Sequence, residues 1–122
     1  MELTHYHIDQ TFDFKGSFDM PSRCGLKISQ KGEKTIVIVT ELYKENPGTT
    51  ITSVTCSLAE QICEAFQIQP KQMIYLECAP GMNSKLNFYD EVYYLVQFDI
   101  EDNKLINPKW TQLDDYEKSI YL

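Results

Sequence analysis

Two glutamates in this sequence are spaced so that they could share chemistry at one edge of a β-sheet. Glu41 follows the apolar run Thr35–Thr40, Glu77 lies near the end of a second run, Met73–Cys78, and a helical pattern separates the two. A strand, a helix and a second parallel strand bring both carboxylates to the edge where the helix begins, and where ligands of open α/β sheets bind. Paired carboxylates there can hold a metal, act as acid and base, or bind a cationic group.

The loop before the helix completes this candidate ligand site. Residues 46–50 read Asn-Pro-Gly-Thr-Thr, and the free N–H groups at the helix start carry partial positive charge. The loop lacks the lysine and glycines of a phosphate-binding loop. The alternative is structural: Glu41 caps backbone N–H groups and Glu77 is solvated at a strand end. The candidate ligand-binding residues are Glu41, Asn46, Thr49, Thr50, Thr52 and Glu77.

A second candidate site lies near the start of the sequence. His5, His7 and Asp9 alternate along a predicted strand, so their side chains share one face and the two imidazoles are about two strand rises apart. That spacing is short enough to chelate one metal ion. The alternative is that these are ordinary solvent-facing residues near a terminus. No cofactor is predicted.

The four cysteines form no recognisable catalytic or zinc motif. They include no Cys-x-x-Cys pair, and Cys56 and Cys63 lie about two helical turns apart. Cys24 follows Arg23, which would lower a thiol pKa, but no local motif places a histidine beside it. We therefore predict reduced thiols at Cys24, Cys56, Cys63 and Cys78, and no catalytic residue.

The apolar pattern predicts one α+β domain over residues 1–122. Residues 5–14 and 24–29 alternate as half-exposed strands, residues 35–40 are apolar on both faces as in a central strand, and residues 73–78 and 88–100 form further strands. Polar residues return at helical spacing from 51 to about 67, and Thr111 can cap a short C-terminal helix over about 111–120. These elements predict a single mixed β-sheet of about five strands with one main helix packed on it.

Composition restricts the class of partner. The chain of 122 residues has 18 acidic and 11 basic side chains and a net charge of -7. This balance disfavours direct nucleic-acid binding, because such affinity comes from Lys and Arg neutralising phosphates, and it suits solubility or docking onto a basic protein surface. No secretory signal or membrane-spanning run is visible, which predicts a cytoplasmic protein. Aromatic side chains are enriched in interfaces, so the candidate interface residues are Tyr89, Tyr93 and Trp110. The alternative is that these rings pack in the core.

Several short motifs together resemble a family of small bacterial proteins of unassigned function. They are the strand end Val39–Leu42, the loop Asn46–Thr52, the helix and its exit with Cys63, Phe66 and Pro70, the strand that carries Glu77, and Pro108-Lys109-Trp110. The resemblance implies a bacterial or phage origin. In that family a histidine tends to follow the glutamate of the fourth strand, whereas this chain has Cys78. That difference argues against histidine chemistry at this edge.

The sequence therefore predicts a small acidic cytosolic binding or regulatory protein that acts through protein contact, as a homodimer or with another protein. One specific version is an inhibitor of a nucleic-acid-handling protein. The alternative is a small-ligand-binding protein or metal-assisted hydrolase that uses Glu41 and Glu77. The alternative requires the two carboxylates to converge in a concave pocket, and the first function requires an exposed aromatic or acidic face.

Overall fold

The protein is a six-stranded β-sheet with one main helix on it. This computed structural model describes residues 3–42, 50–80 and 91–122, and it describes side chains for all of these except 3–9, 79–80 and 91. The strands are β1 Leu3–Lys15, β2 Pro21–Lys31, β3 Lys34–Thr40, β4 Met73–Pro80, β5 Glu91–Glu101 and β6 Lys104–Gln112. The helices are α1 Thr55–Phe66 and α2 Asp115–Tyr121, with short 3₁₀ segments at Ser17–Asp19, Ile51–Val54 and Pro70–Gln72.

The strands lie in the sheet in chain order, from β1 to β6. Neighbouring strands are antiparallel except β3 and β4, whose parallel register runs from Thr35 opposite Met73 to Thr40 opposite Cys78. A parallel pair needs a long connection, and α1 lies in that connection. The predicted α+β class, with a single mixed sheet and a strand-helix-strand crossover, is confirmed.

Both faces of β3 are buried, which is why its apolar residues do not alternate with polar ones. Val37 and Val39 belong to the larger core cluster, together with Leu58 and Ile62 of α1. Ile36 faces the other way, into a smaller core cluster. That second cluster consists of Ile36, Leu76 and Leu113, with Ile38, Ile74, Tyr93, Leu95 and Tyr121 packed against it.

Two elements differ in detail from the sequence-based expectation. The sheet has six strands where about five were predicted, because the segment around Pro108 pairs with β5 as the edge strand β6. Proline is tolerated there, since one side of an edge strand has no ladder partner. The C-terminal helix begins at Asp115, and Thr111 lies in β6. Its cap is Asp114, whose side chain accepts from the N–H of Glu117 in a capping box.

Candidate functional site

Glu77 is a buried carboxyl between the sheet and the start of α1. The residue is 0% exposed, although glutamate is almost never fully buried without a partner. Thr55 Oγ1 lies 3.0 Å from each of its carboxyl oxygens, and the indole N–H of Trp110 donates to Oε1. The alternative interpretation of a solvated strand end is therefore wrong for Glu77.

Glu41 continues the β3 ladder and then caps the segment that leads into α1. Its backbone N–H donates to the carbonyl of Cys78 at 3.1 Å, and its side-chain Oε2 accepts from the N–H of Ile51 at 2.7 Å. Ile51 is the first residue of the 3₁₀ turn before α1, where an acceptor satisfies an otherwise free donor. The capping role considered for Glu41 is confirmed. Its other oxygen, Oε1, is buried and has no hydrogen-bond partner among the described residues.

The two glutamates are neighbours on one face of the sheet, and the charge of Glu41 acts on Glu77. Val39 lies directly opposite Glu77 in the parallel ladder, and Glu41 follows Val39 by two positions, which makes the glutamates diagonal neighbours on one face. Their contacts, Ile51 and Thr55, lie one turn apart, and Thr55 Oγ1 is 3.1 Å from the carbonyl oxygen of Ile51. The predicted crossover therefore does bring the two glutamates together.

Burial dominates the electrostatics of this pair. Burial raises the pKa of Glu77, the hydrogen bonds from Trp110 and Thr55 lower it, and the charge of Glu41 raises it again. Burial likewise raises the pKa of Glu41, against the lowering effect of the Ile51 N–H. Removal from water and a nearby like charge both disfavour the ionised form of a carboxyl.

Tyr75 and Cys24 lie beside the glutamates. The Tyr75 hydroxyl lies close enough to Glu77 to lower the pKa of that carboxyl, although it has no hydrogen bond of normal geometry within the described residues. The residue is only 1% exposed. Burial, with a contribution from Glu41, raises the pKa of the Cys24 thiol to about 12, so this thiol is not a nucleophile at neutral pH. We call the following set the acid cluster: Glu41, Thr55, Tyr75, Glu77 and Trp110.

All four cysteines are free thiols, as predicted. Burial raises the pKa of the Cys63 thiol to about 11, and it raises that of Cys56 as well. A raised thiol pKa leaves little thiolate at neutral pH. Cys24, Cys63 and Cys78 are buried in the fold, whereas Cys56 on α1 is half-buried.

The remaining candidate ligand residues do not join the acid cluster. Thr50 and Thr52 are exposed, and their hydroxyl oxygens lie 3.1 Å apart. Asn46 and Thr49 lie outside the described residues. Two open cavities of about 310 Å³ each, one between β4 and β5 and one beside the end of α1, are not lined by either glutamate.

The proposed metal ligands lie on β1, the first edge strand. The backbone places His7 opposite Ser29 and Asp9 opposite Lys27 in the ladder with β2. The side chains of His5, His7 and Asp9 lie outside the described part of the structure. Among the side chains that are described, no three His, Cys, Asp or Glu residues are grouped to hold a metal ion. The metal site stays a prediction.

The three candidate interface residues have different surroundings. Trp110 on β6 is 41% exposed, while its indole N–H is held by Glu77. Tyr93 is half-buried against the second core cluster. Tyr89 lies outside the described residues. Of the three, only Trp110 is known to present an exposed aromatic surface.

The turn between β1 and β2 is a surface that the sequence pattern did not single out. We call residues 16–20 the hairpin tip. Phe18 at its centre is 99% exposed, and Met20 beside it is also exposed. Phe18 and Asp19 have φ angles of 56° and 57°, a left-handed conformation that is unusual for a bulky residue. The sequence feature that could have indicated this surface is an aromatic residue between Gly16 and Pro21, two residues typical of turns.

The hairpin tip is held by a dense set of hydrogen bonds. Within it, the N–H of Gly16 donates to Met20 at 2.8 Å, and the N–H of Met20 donates to Ser17 at 3.1 Å. At its base, the Gln61 side chain of α1 accepts from the N–H of Lys15 at 2.9 Å and donates to its carbonyl at 3.0 Å. These bonds fix the tip to the helix, so the exposed phenyl ring projects from an ordered loop.

Comparisons with known proteins add no relative. No family model matches this chain, and neither the curated proteins nor the solved structures contain a match. The resemblance to small bacterial proteins therefore stays a prediction. Within the described ranges, no helix combines the length and apolar character needed to cross a bilayer.

The acid cluster predicts that stability falls as pH rises. A carboxyl with a higher pKa in the folded state than its ordinary value of 4.5 stabilises the fold fully below that value, and this contribution is lost as pH rises through the folded pKa. We expect the free energy of unfolding to decrease as pH rises. Urea unfolding at a series of pH values, in constant high salt to screen surface charge, measures it.

The matched control for this pH dependence is the double variant Glu41→Gln/Glu77→Gln. It removes both titrating groups while keeping their size and hydrogen-bonding capacity. We expect a flatter pH profile for the double variant. A slope equal to that of the unmodified protein would assign the effect to other carboxyls.

Proposed function

We propose that this chain is a binding module that acts through protein contact, and that the hairpin tip is its main anchor. The observation that supports this most directly is Phe18, which is 99% exposed in a left-handed backbone conformation. Such a conformation costs on the order of 1–2 kcal/mol for a residue other than glycine. The isolated chain has no burial of the ring to offset that cost, and strained, exposed residues of this kind cluster at functional sites.

The order of the hairpin tip favours binding. Association normally requires loops and side chains to lose conformational freedom, and a loop that is already ordered avoids part of that loss. Binding energy concentrates in a few aromatic or arginine anchors that enter pockets of the partner. Phe18 is an aromatic side chain, and the turn that carries it is already ordered by hydrogen bonds.

Charge indicates the kind of partner. The chain carries a net charge of -7, and complementary charge steers association and selects partners. We therefore propose a protein partner with an apolar pocket surrounded by basic residues. Proteins that handle nucleic acids carry basic surfaces. A more specific form of the proposal is therefore that this chain inhibits such a protein.

The enzymatic alternative has less support. A catalytic carboxylate must reach substrate or a bound water, whereas the Glu77 residue is 0% exposed. One oxygen of Glu41 is engaged by the N–H of Ile51. Neither glutamate lines either of the two open cavities. We therefore assign the pair a role inside the fold.

The decisive variant for the proposed function is Phe18→Ser. Proteins retained by the immobilised chain from its native host would be identified, and the affinity of each purified candidate would be measured. We expect Phe18→Ser to weaken binding by about 30-fold, equivalent to roughly 2 kcal/mol, because the anchor is lost. The thermal midpoint should stay the same or rise, since the ring is exposed in the free chain.

The matched control is Ile100→Ser, which removes an exposed apolar residue on β5. It should bind as the unmodified chain does. Unchanged affinity of Phe18→Ser for every candidate would overturn the proposal. Sedimentation at several concentrations tests the homodimer version: a dimer that Phe18→Ser dissociates would identify a second copy of the chain as the partner.

A further inference from the structure

If Glu77 is ionised, the close oxygen contacts of Thr55 outnumber the hydrogens available to bridge them. Thr55 Oγ1 lies 3.0 Å from both carboxyl oxygens of Glu77 and 3.1 Å from the carbonyl oxygen of Ile51. A hydroxyl group has a single hydrogen to donate, and both an ionised carboxylate and a carbonyl only accept. With an ionised Glu77, one of these close oxygen pairs has no hydrogen between its atoms.

A neutral Glu77 supplies a second hydrogen for these contacts. Its carboxyl O–H donates to Thr55 Oγ1, and the Thr55 hydroxyl then donates to the carbonyl of Ile51, an ordinary bond for threonine in a helix. The other carboxyl oxygen accepts from the indole of Trp110. Two hydrogens are then available around Thr55 Oγ1 where an ionised Glu77 leaves one, and the contact without a hydrogen is the one to Oε1, the second oxygen of the same carboxyl group.

Within residues 3–42, 50–80 and 91–122, no positively charged group acts on Glu77. The titratable groups acting on it from the described residues are Glu41 after β3 and Tyr75 on β4. Cys56 on α1 is also near enough to interact with Glu77, Cys24 on β2 interacts with both Glu41 and Tyr75, and Tyr94 lies opposite Glu77 on β5. None of these groups is a lysine or an arginine. Burying an ionised carboxylate without a cation is strongly unfavourable.

We propose that Glu77 carries a proton at neutral pH and that loss of this proton to solvent is a conformational switch between the start of α1 and the β6 edge. On ionisation, the Thr55 hydroxyl turns from the Ile51 carbonyl to the new carboxylate. The carboxylate also faces the charge of Glu41, whose other oxygen holds the Ile51 N–H. The two like charges repel, so the helix start is the place that must move. The Trp110 indole keeps its hydrogen bond, which favours the ionised form, and then lies beside a negative charge.

This inference goes beyond the proposed function, because it concerns the half-exposed Trp110 edge and does not depend on the hairpin tip. Trp110 is the only tryptophan in the sequence, so its fluorescence reports the switch directly. Emission would be recorded for the full chain from acidic to alkaline pH. We expect one transition on the alkaline side of neutral pH, because the proposal requires Glu77 to be protonated at neutral pH. A transition completed on the acidic side of neutral pH would overturn it.

Two substitutions distinguish the titration of Glu77 from the titration of other groups. Glu77→Gln imitates the neutral acid, since its amide can donate to Thr55 and its carbonyl can accept from Trp110; it should retain the acidic-state emission at every pH in the range. Glu41→Gln should move the transition to lower pH, because it removes the charge that disfavours ionisation of Glu77. An unchanged transition in Glu77→Gln would overturn the proposal.

A direct measurement on the unmodified chain covers the case in which a variant fails to fold. Carbon NMR of glutamate side chains distinguishes the carboxylic acid from the carboxylate. We expect one glutamate resonance at the neutral-acid position at pH 7, in a chain that is folded by amide dispersion. All glutamate carboxyls at the ionised position would refute the inference, whatever the variants show.

Discussion

Replacing Glu77 with alanine should lower the free energy of unfolding by about 3 kcal/mol. The truncation leaves a cavity where a side chain is 0% exposed, and it removes the partner of Thr55 and of the Trp110 indole. Buried donors that lose their acceptor account for part of the loss, and missing contacts account for the rest. Urea unfolding followed by circular dichroism measures this difference.

Glu77→Gln is the matched control for this truncation. It keeps the volume and the hydrogen bonds of the neutral acid, so its stability at neutral pH should be close to that of the unmodified chain. If Glu77→Ala and Glu77→Gln destabilise the fold equally, then charge matters and packing does not. That outcome would contradict the structural account of the acid cluster.

Replacing Leu58 with alanine should lower the free energy of unfolding by about 2–5 kcal/mol. Leu58 is fully buried where α1 meets the sheet, in the core cluster that includes Val37, Val39 and Tyr75. A rigid sheet cannot collapse fully into the space that the side chain leaves, so a cavity term adds to the lost transfer free energy. A loss of this size is a large part of the stability of an ordinary domain.

Glu64→Ala is the control for Leu58→Ala, because it lies on the exposed side of the same helix. Surface substitutions of this kind change stability by less than about 0.5 kcal/mol. The comparison tests which face of α1 lies on the sheet. Equal effects of the two substitutions would contradict the observed packing of α1.

The main helix connects the two features that we interpret functionally. Thr55 in its first turn contacts Glu77, and Gln61 further along holds the base of the hairpin tip. A shift of the helix start would therefore reach an element that also supports the tip. Comparing the partner affinity of the unmodified chain and of Glu77→Gln across pH would measure the energetic coupling between the two sites.

Local sequence patterns were sufficient to predict most of the helices and strands. Alternation in β2 places Cys24, Leu26 and Ile28 in the core, and this period alone predicted a strand with one buried face. Helical spacing likewise predicted the main helix, which occupies Thr55–Phe66 after a 3₁₀ turn. The strand β6 was missed as a sheet member because residues around Pro108 have weak strand preference. Its pairing with β5 compensates for that preference.

The sequence by itself determined the α+β class, the crossover, and the two glutamates at its edge, because apolar periodicity and chain connectivity restrict where strand ends can lie. Only the tertiary structure decided that Glu77 is buried, since its burial depends on Thr55 and Trp110, which lie 22 and 33 positions away. The exposure of Phe18 was likewise decided by the tertiary structure, because no local rule states whether a core will cover a side chain. Burial and exposure are properties of the packed chain, and the acid cluster and the hairpin tip are defined by them.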